Sequence, residues 1–272
     1  MSIYWIARNT FLEAVRQRFF NFLLILGLLM TALSLALSGF DFGGNELKFV
    51  ADFGFGGLFL FGSILAVVMT VQLFFAEIDN RTAITLLAKP VSRFEFVVGK
   101  FAGIALLLAV FVALMALLLG IVLALRQPVL AAIAEQRGSL APYFSLSGLA
   151  LFAVLQWIRL LIVAAMTFFF TSFAQTYLYA VVVSFCGLLI AQLQYVLQDV
   201  AAGDKTGTFA KIAAGTIAQC VPNLQLFNLG PQLTLDAAGV PAGTVLAAAG
   251  YGCVWAGILI FLAFAFFRSR EM

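Results

Sequence analysis

Residues 77–100 read EIDNRTAITLLAKPVSRFEFVVGK, and they form the most charged segment of a chain that is otherwise mostly apolar. Arg81, Lys89, Arg93 and Lys100 stand against Glu77, Asp79 and Glu95, between two long hydrophobic runs. Asn80 or Asp79 can cap a short helix through Leu87, and Pro90 stops it, because proline disfavours helical backbone in the residue before it. A rigid, charged loop protruding between two membrane spans suits docking of a soluble partner.

The two flanking runs decide the class. Of 272 residues 64% are hydrophobic and 10% charged, with a mean hydropathy of +1.12. Soluble domains are nearer half apolar and a quarter charged, so the chain reads as an integral membrane protein. Uninterrupted runs such as 104–125 lack the alternation of a membrane β-barrel, which leaves an all-α fold. A formal charge of +3, dispersed along the chain, gives no nucleic-acid surface. Cys186, Cys220 and Cys253 form no C-x-x-C pair and there is no histidine, so a zinc or haem site has almost no ligands to use. The cysteines are expected to be small buried hydrophobes.

About 20 apolar residues cross a hydrocarbon layer of about 30 Å. On that measure the spans fall at 19–38, 54–76, 101–125, 147–170, 177–197 and 245–267. Residues 1–18 precede them as an amphipathic helix lying at the interface, with Ile3, Ala7, Phe11, Ala14 and Val15 on one stripe and Asn9, Glu13, Arg16 and Gln17 opposite. That leader and the spans that follow argue against a cleavable signal ending at Ser38. Residues 39–52 and 126–145 read as loops, the second with Pro128, Pro142 and a short helix between them. The turn 171–176 makes the fourth and fifth spans a hairpin. Residues 198–244 are broken by Gly203, Gly207, Gly215, Pro222, Gly230, Pro231, Gly239 and Pro241. Their segments are too short to span, yet apolar enough to sit in the outer leaflet.

Basic residues set the orientation. Arg8, Arg16, Arg18, Arg81, Lys89, Arg93, Lys100, Arg268 and Arg270 fall on the side of the termini and the 77–100 loop. Lys48, Arg126, Arg137, Lys205 and Lys211 fall on the other. Six spans with both termini cytoplasmic, in the cell membrane, satisfy this asymmetry.

The chemistry that is missing matters as much. No G-x-x-x-x-G-K-[ST] occurs, and no nucleophile has a histidine beside it, so neither ATP binding by a phosphate loop nor triad hydrolysis has its parts. Arg159 lies in the middle of the fourth span, too deep for easy snorkelling, where a charge needs a partner. It reads equally as a lining of a transport path or dimer seam, or as a structural contact to carbonyls or to Gln156, Gln192 or Gln194. Gly54, Gly56, Gly57 and Gly62 permit close helix approach and are candidates for a dimer seam. The 30 phenylalanines are expected to be lipid-facing bulk.

Three stretches carry a resemblance to a known family. The first is Glu77, Arg81-Thr82, Leu86-Leu87, Pro90-Val91-Ser92-Arg93 and Gly99-Lys100; the others are Val221-Pro222-Asn223-Leu224-Gln225-Leu226-Phe227-Asn228 and the ending Phe267-Arg268-Ser269-Arg270-Glu271. In order and spacing over the whole chain they resemble permeases of type-two ABC exporters, the type V exporter fold. The resemblance implies one permease domain over 1–272, dimerising with itself or a paralogue and pairing with two cytoplasmic ABC ATPase subunits that bind ATP and magnesium, with no cofactor on this chain. It implies a connecting helix at 1–18, a coupling loop at 77–100 and short re-entrant helices within 198–244. Asp79, Arg81, Thr82, Leu86, Leu87, Lys89, Pro90 and Arg93 are the candidate docking residues. Glu77 and Arg159 are candidates for the transport path or the seam. Arg159 and the apolar character of 201–244 depart from the family pattern and leave the substrate open. Within the family, the alternative is a permease that transmits force, as in copper-enzyme maturation or gliding. Outside it, the alternative is a stand-alone channel or secondary transporter, against which the spans offer no carboxylate for proton coupling and no repeat.

The orientation is checked by replacing the three native cysteines and placing single ones. Lys89→Cys should resist an impermeant thiol reagent in intact cells, whereas Gln136→Cys and Lys205→Cys should react; rapid labelling at position 89 would overturn the topology.

Overall fold

The computed structural model describes residues 2–37, 46–79, 93–137, 143–202, 208–237 and 239–269. Among the described residues every regular element is helical. They are α1 (Ser2–Val15), α2 (Arg18–Leu37), α3 (Glu46–Asp79), α4 (Arg93–Arg137), α5 (Leu146–Phe173), α6 (Tyr177–Gln192), α7 (Gln194–Ala202), α8 (Thr208–Cys220), a 3-10 turn (Leu224–Phe227), α9 (Gly230–Thr234) and α10 (Ala242–Ser269). Helices α3, α4, α5 and α10 are each long and apolar enough to cross a membrane. Two bent pairs, α1 with α2 at 64° and α6 with α7 at 55°, bring the number to six if each pair is one span.

Helix α5 is the centre: α3, α4, α6, α9 and α10 all pack on it. Ser145 caps its start, with its hydroxyl accepting from the Gly148 N–H at 3.1 Å. The outer surface carries Phe22, Ile25 and Leu29 of α2, Leu117 and Ile121 of α4, and Val254 and Phe261 of α10, all exposed. Such a belt would be a liability in water and is at home in lipid.

Lipid is as apolar as leucine, so helices within it associate by close packing rather than by hydrophobic exclusion. The glycines show where. A Cβ at Gly103 would lie 2.6 Å from the Thr10 Cβ and 2.8 Å from the Ala7 carbonyl, and one at Gly99 would lie 2.8 Å from the Ile6 Cβ. Gly99 and Gly103 are therefore a notch in α4 that receives α1, whose buried face is Ala7, Thr10 and Ala14. The expected amphipathic stripe is present, and it is turned onto a neighbouring helix. Gly54 and Gly62 receive Leu119 and Leu160 of this same chain, whereas a Cβ at Gly56 or Gly57 would meet no neighbouring element among the described residues within 4 Å. Only the latter pair remains open to a second subunit.

Several boundaries differ from expectation. Residues 46–52 are helical rather than loop, so α3 starts at Glu46, whose carboxylate pairs with Arg126 at 3.6 Å. Helix α4 continues for 45 residues through Pro128, about 67 Å at 1.5 Å per residue and more than twice the hydrocarbon thickness. Pro128 removes one ladder hydrogen bond, but it lies on an exposed stretch, and the Ala- and Leu-rich residues after it favour helix. The fifth span, expected as one helix to 197, breaks at Gln192 and resumes at Gln194 with a bend of 55°. All three cysteines are exposed. On a bundle whose outside is apolar, hydrophobic surroundings in the sequence do not separate core from lipid face.

The phenylalanines also divide. Phe74 packs edge-on against Phe168 at 5.4 Å and Phe267 at 5.6 Å, Phe96 stacks on Phe267 at 5.9 Å, and Phe94 meets Phe264 at 5.4 Å. These pairs gather the ends of α3, α5 and α10 and the start of α4 at one end of the bundle, with Tyr177 of α6 beside Phe75. At the opposite end the Ser145 N–H donates to the Thr234 carbonyl at 2.9 Å, tying α9 to α5.

A side chain at Gly148 would collide with the Leu233 carbonyl, a backbone group that cannot rotate away. Gly148→Ala should therefore cost about 1–3 kcal/mol. Gly56→Ala, in open space within a helix, should be neutral or stabilise by up to about 1 kcal/mol. Thermal melts of the detergent-purified chain compare them, and equal melting temperatures would rule out the close α5–α9 contact.

Candidate functional site

Arg159 stands thirteen residues after Leu146 and fourteen before Phe173, about 20 Å from either end of α5. The span does not begin late enough to bring it near water, and its relative exposure is 3%. The guanidinium carbon lies 3.6 Å from the centroid of the Phe59 ring on α3, and one terminal nitrogen donates to Gln192 Oε1 at 2.9 Å. Nε has no partner. Among the described residues no carboxylate forms an ion pair with it. A buried cation normally requires a counter-charge; here an aromatic face and one neutral amide offset part of the cost. One turn earlier on α5, Gln156 is buried at 1% exposure, and its Oε1 has no partner among the described residues.

The partner of Arg159 sits at a break in the backbone. Helix α6 ends at Gln192 and α7 begins at Gln194, with Leu193 at φ −92°, ψ 14° between them. Neither proline nor glycine causes it. The carbonyl of Gln192 accepts from Gln225 Nε2 at 3.0 Å, and Gln194 Nε2 donates to the Ala218 carbonyl and, at 3.0 Å, to that of Val221. Backbone groups without water must be satisfied inside the protein, and glutamines supply those partners here. The 3-10 turn reaches deep beside this break: Leu224 and Phe227 are fully buried, and the Phe227 ring lies against Gly252 of α10 beside Ile158. The Asn223 N–H donates to the Tyr251 hydroxyl at 2.7 Å.

Of the three glutamines considered for Arg159, Gln192 is the partner, Gln156 is adjacent without bonding it, and Gln194 is engaged elsewhere. Phe59 carries no signal in its apolar run. Glu77 belongs to the far end of α3, eighteen residues beyond Phe59, hence about 27 Å along the axis. The structure does not bring Glu77 and Arg159 together. Asp79 is the last residue of α3 and Arg93 the first of α4. Arg81, Thr82, Leu86, Leu87, Lys89 and Pro90 lie outside the described residues. Just inside the loop Lys100 is buried, and its Nζ donates to the Leu73 carbonyl at 3.5 Å, fastening the start of α4 to the end of α3. Among the described residues no cluster of histidine, cysteine or carboxylate side chains is suited to a metal ion.

Residues 11–191 match the family described as ABC-2 family transporter protein, well over half of the chain. The chain belongs to the ABC-2 transporter family. No curated protein matches it. The matched region of this ABC-2 permease subunit holds the 77–100 loop and Arg159 and stops one residue before Gln192. The break, the 3-10 turn, α9 and α10 lie beyond it. The likeness in 221–228 and in 267–271 therefore stands on the sequence pattern alone.

If Gln192 is what makes the buried guanidinium tolerable, Gln192→Leu should destabilise the permease by about 1.5–3 kcal/mol, the range for a hydrogen bond to a charged group. Arg159→Leu, which removes the charge itself, should leave the melting temperature unchanged or raise it. A larger loss in Arg159→Leu than in Gln192→Leu would make the arginine a structural anchor.

Proposed function

We propose that this ABC-2 permease is the membrane subunit of an ATP-driven exporter that works by alternating access. ATP and magnesium are bound by separate cytoplasmic ATPase subunits, and this chain, with a second permease, forms the path. The observation that carries the proposal is the convergence of the ends of α3, α5 and α10 and the start of α4 on one aromatic cluster, directly where residues 80–92 attach. A push on that loop reaches three spanning helices, and the Phe74–Phe267 and Phe94–Phe264 contacts carry it to α10 as well. The loop side is the cytoplasmic side, and residues 198–244 form re-entrant elements at the other. Arg159, buried within a single chain, fits the path better than a seam between subunits. Glu77 belongs with the coupling end.

Leu86 and Leu87 are the anchors of the docking surface, and Arg81 and Arg93 its rim. Leu86→Asp or Leu87→Asp should release or uncouple the ATPase without preventing membrane insertion, because a desolvated carboxylate in an apolar groove costs several kcal/mol. Arg81→Ala should do less, since rim charges mainly set encounter rate. In a pull-down of the cognate ATPase at physiological salt, wild-type retention and coupled activity in both Leu variants would overturn the coupling loop.

A further inference from the structure

We infer that Arg159, with Gln156 and Gln192, is a receiving site for an oxyanion, the phosphate or carboxylate head of an amphipathic substrate. The assignment rests on the path reading of Arg159 and gives that path a substrate class.

A guanidinium carries five N–H donors in its plane. In this chain the flat face is taken by Phe59 at 3.6 Å, which leaves the in-plane donors at the edge, and one of them is held by Gln192. Among the described residues the Nε–H has no partner, and the amide of Gln156, one turn away on the same helix, presents an oxygen without one. Turning that amide by 180° exchanges its oxygen for an NH2 donor. A forked cation with free in-plane donors matches the two oxygens of a carboxylate or phosphate. No carboxylate of the described residues competes for it.

The surroundings select a substrate with a hydrocarbon part. The site lies about 20 Å from either end of α5, against the Phe59 ring and at 3% exposure, so a fully hydrated ion would lose its shell on the way in. Non-helical backbone at membrane depth is tolerated where it is buried in protein or lines a path. The Gln192–Gln194 break and the 3-10 turn place such backbone beside the arginine. Broken helices next to a buried charge are the pattern of substrate sites near the bilayer midplane.

The test uses the full-length chain in neutral maltoside micelles, with melting temperature followed against added dodecyl phosphate and, as controls, dodecyltrimethylammonium and extra dodecyl maltoside. Dodecyl phosphate alone should raise the melting temperature. Its half-saturating concentration should rise at least about tenfold in Arg159→Gln and Arg159→Leu, and by less in Arg159→Lys, which keeps the charge and guards against loss of the fold in the other two. Two arms separate the sources. Retention of phosphatidylglycerol over phosphatidylcholine in nanodiscs, lost in Arg159→Gln, identifies a lipid head group; saturable stabilisation by inorganic phosphate, lost in the same variant, identifies a free anion. Equal action of dodecyl phosphate on wild type and Arg159→Gln, or none on either, overturns the site. Because binding is read on the permease alone, that failure leaves the ATPase pull-down untouched, and a failed pull-down leaves the binding result standing.

Discussion

A guanidinium held at the middle of a lipid-spanning helix must find every partner inside the protein, and much of the bundle away from the loop is arranged around that requirement. Arg159 takes an aromatic face from α3 and an amide from the end of α6. Supplying the amide at that depth coincides with a break in the helix, and the break exposes a carbonyl that Gln225 satisfies from the 3-10 turn. The turn is held in turn by the Tyr251 hydroxyl of α10 and by burial of Phe227 beside Gly252. One costly charge thus links α3, α5, α6, the 3-10 turn and α10 through contacts that each satisfy a group left over by the previous one.

The loop end works by different physics. Its contacts are between rings, which tolerate small changes of angle while staying in contact, and edge-to-face and stacked pairs both occur within it. A polar lattice thus holds one half of the bundle and an aromatic joint the other. The buried Lys100, donating to the Leu73 carbonyl, ties the start of α4 to the end of α3.

The class, the order of the spans and the depth of Arg159 were legible because they depend on length and hydropathy, which the bilayer imposes directly. The stripe of α1 was legible too, but not what covers it: Gly99 sat inside the loop pattern, and Gly103 lay inside an apolar run where a glycine has no distinguishing neighbour. The end of α4 at Arg137 escapes the sequence reading because Pro128 reads as a boundary while the Ala- and Leu-rich residues after it carry the helix on, and the start of α3 escapes it because the charges of 46–52 read as a loop. Gln192 was a candidate partner, yet the break beside it has no proline or glycine to announce it. Phe59 and the aromatic joint were invisible, since a phenylalanine that faces lipid and one that faces a ring look alike in sequence.

The notch at Gly99 and Gly103 has a consequence for biogenesis. The residues that cover α1 are made more than ninety positions after Ile6, and at roughly 5–20 residues per second the nascent helix waits on the order of five to twenty seconds for its seat. Throughout that interval Ala7 and Thr10 lack the α4 notch that covers them in the folded chain, and the apolar stripe of α1 suits the membrane surface meanwhile. Helix α1 therefore leaves the ribosome well before α4 and is locked in place only once α4 has followed. A chain arrested before α4 would display an uncovered stripe by which a membrane quality-control protease or insertion chaperone can tell it from a finished one.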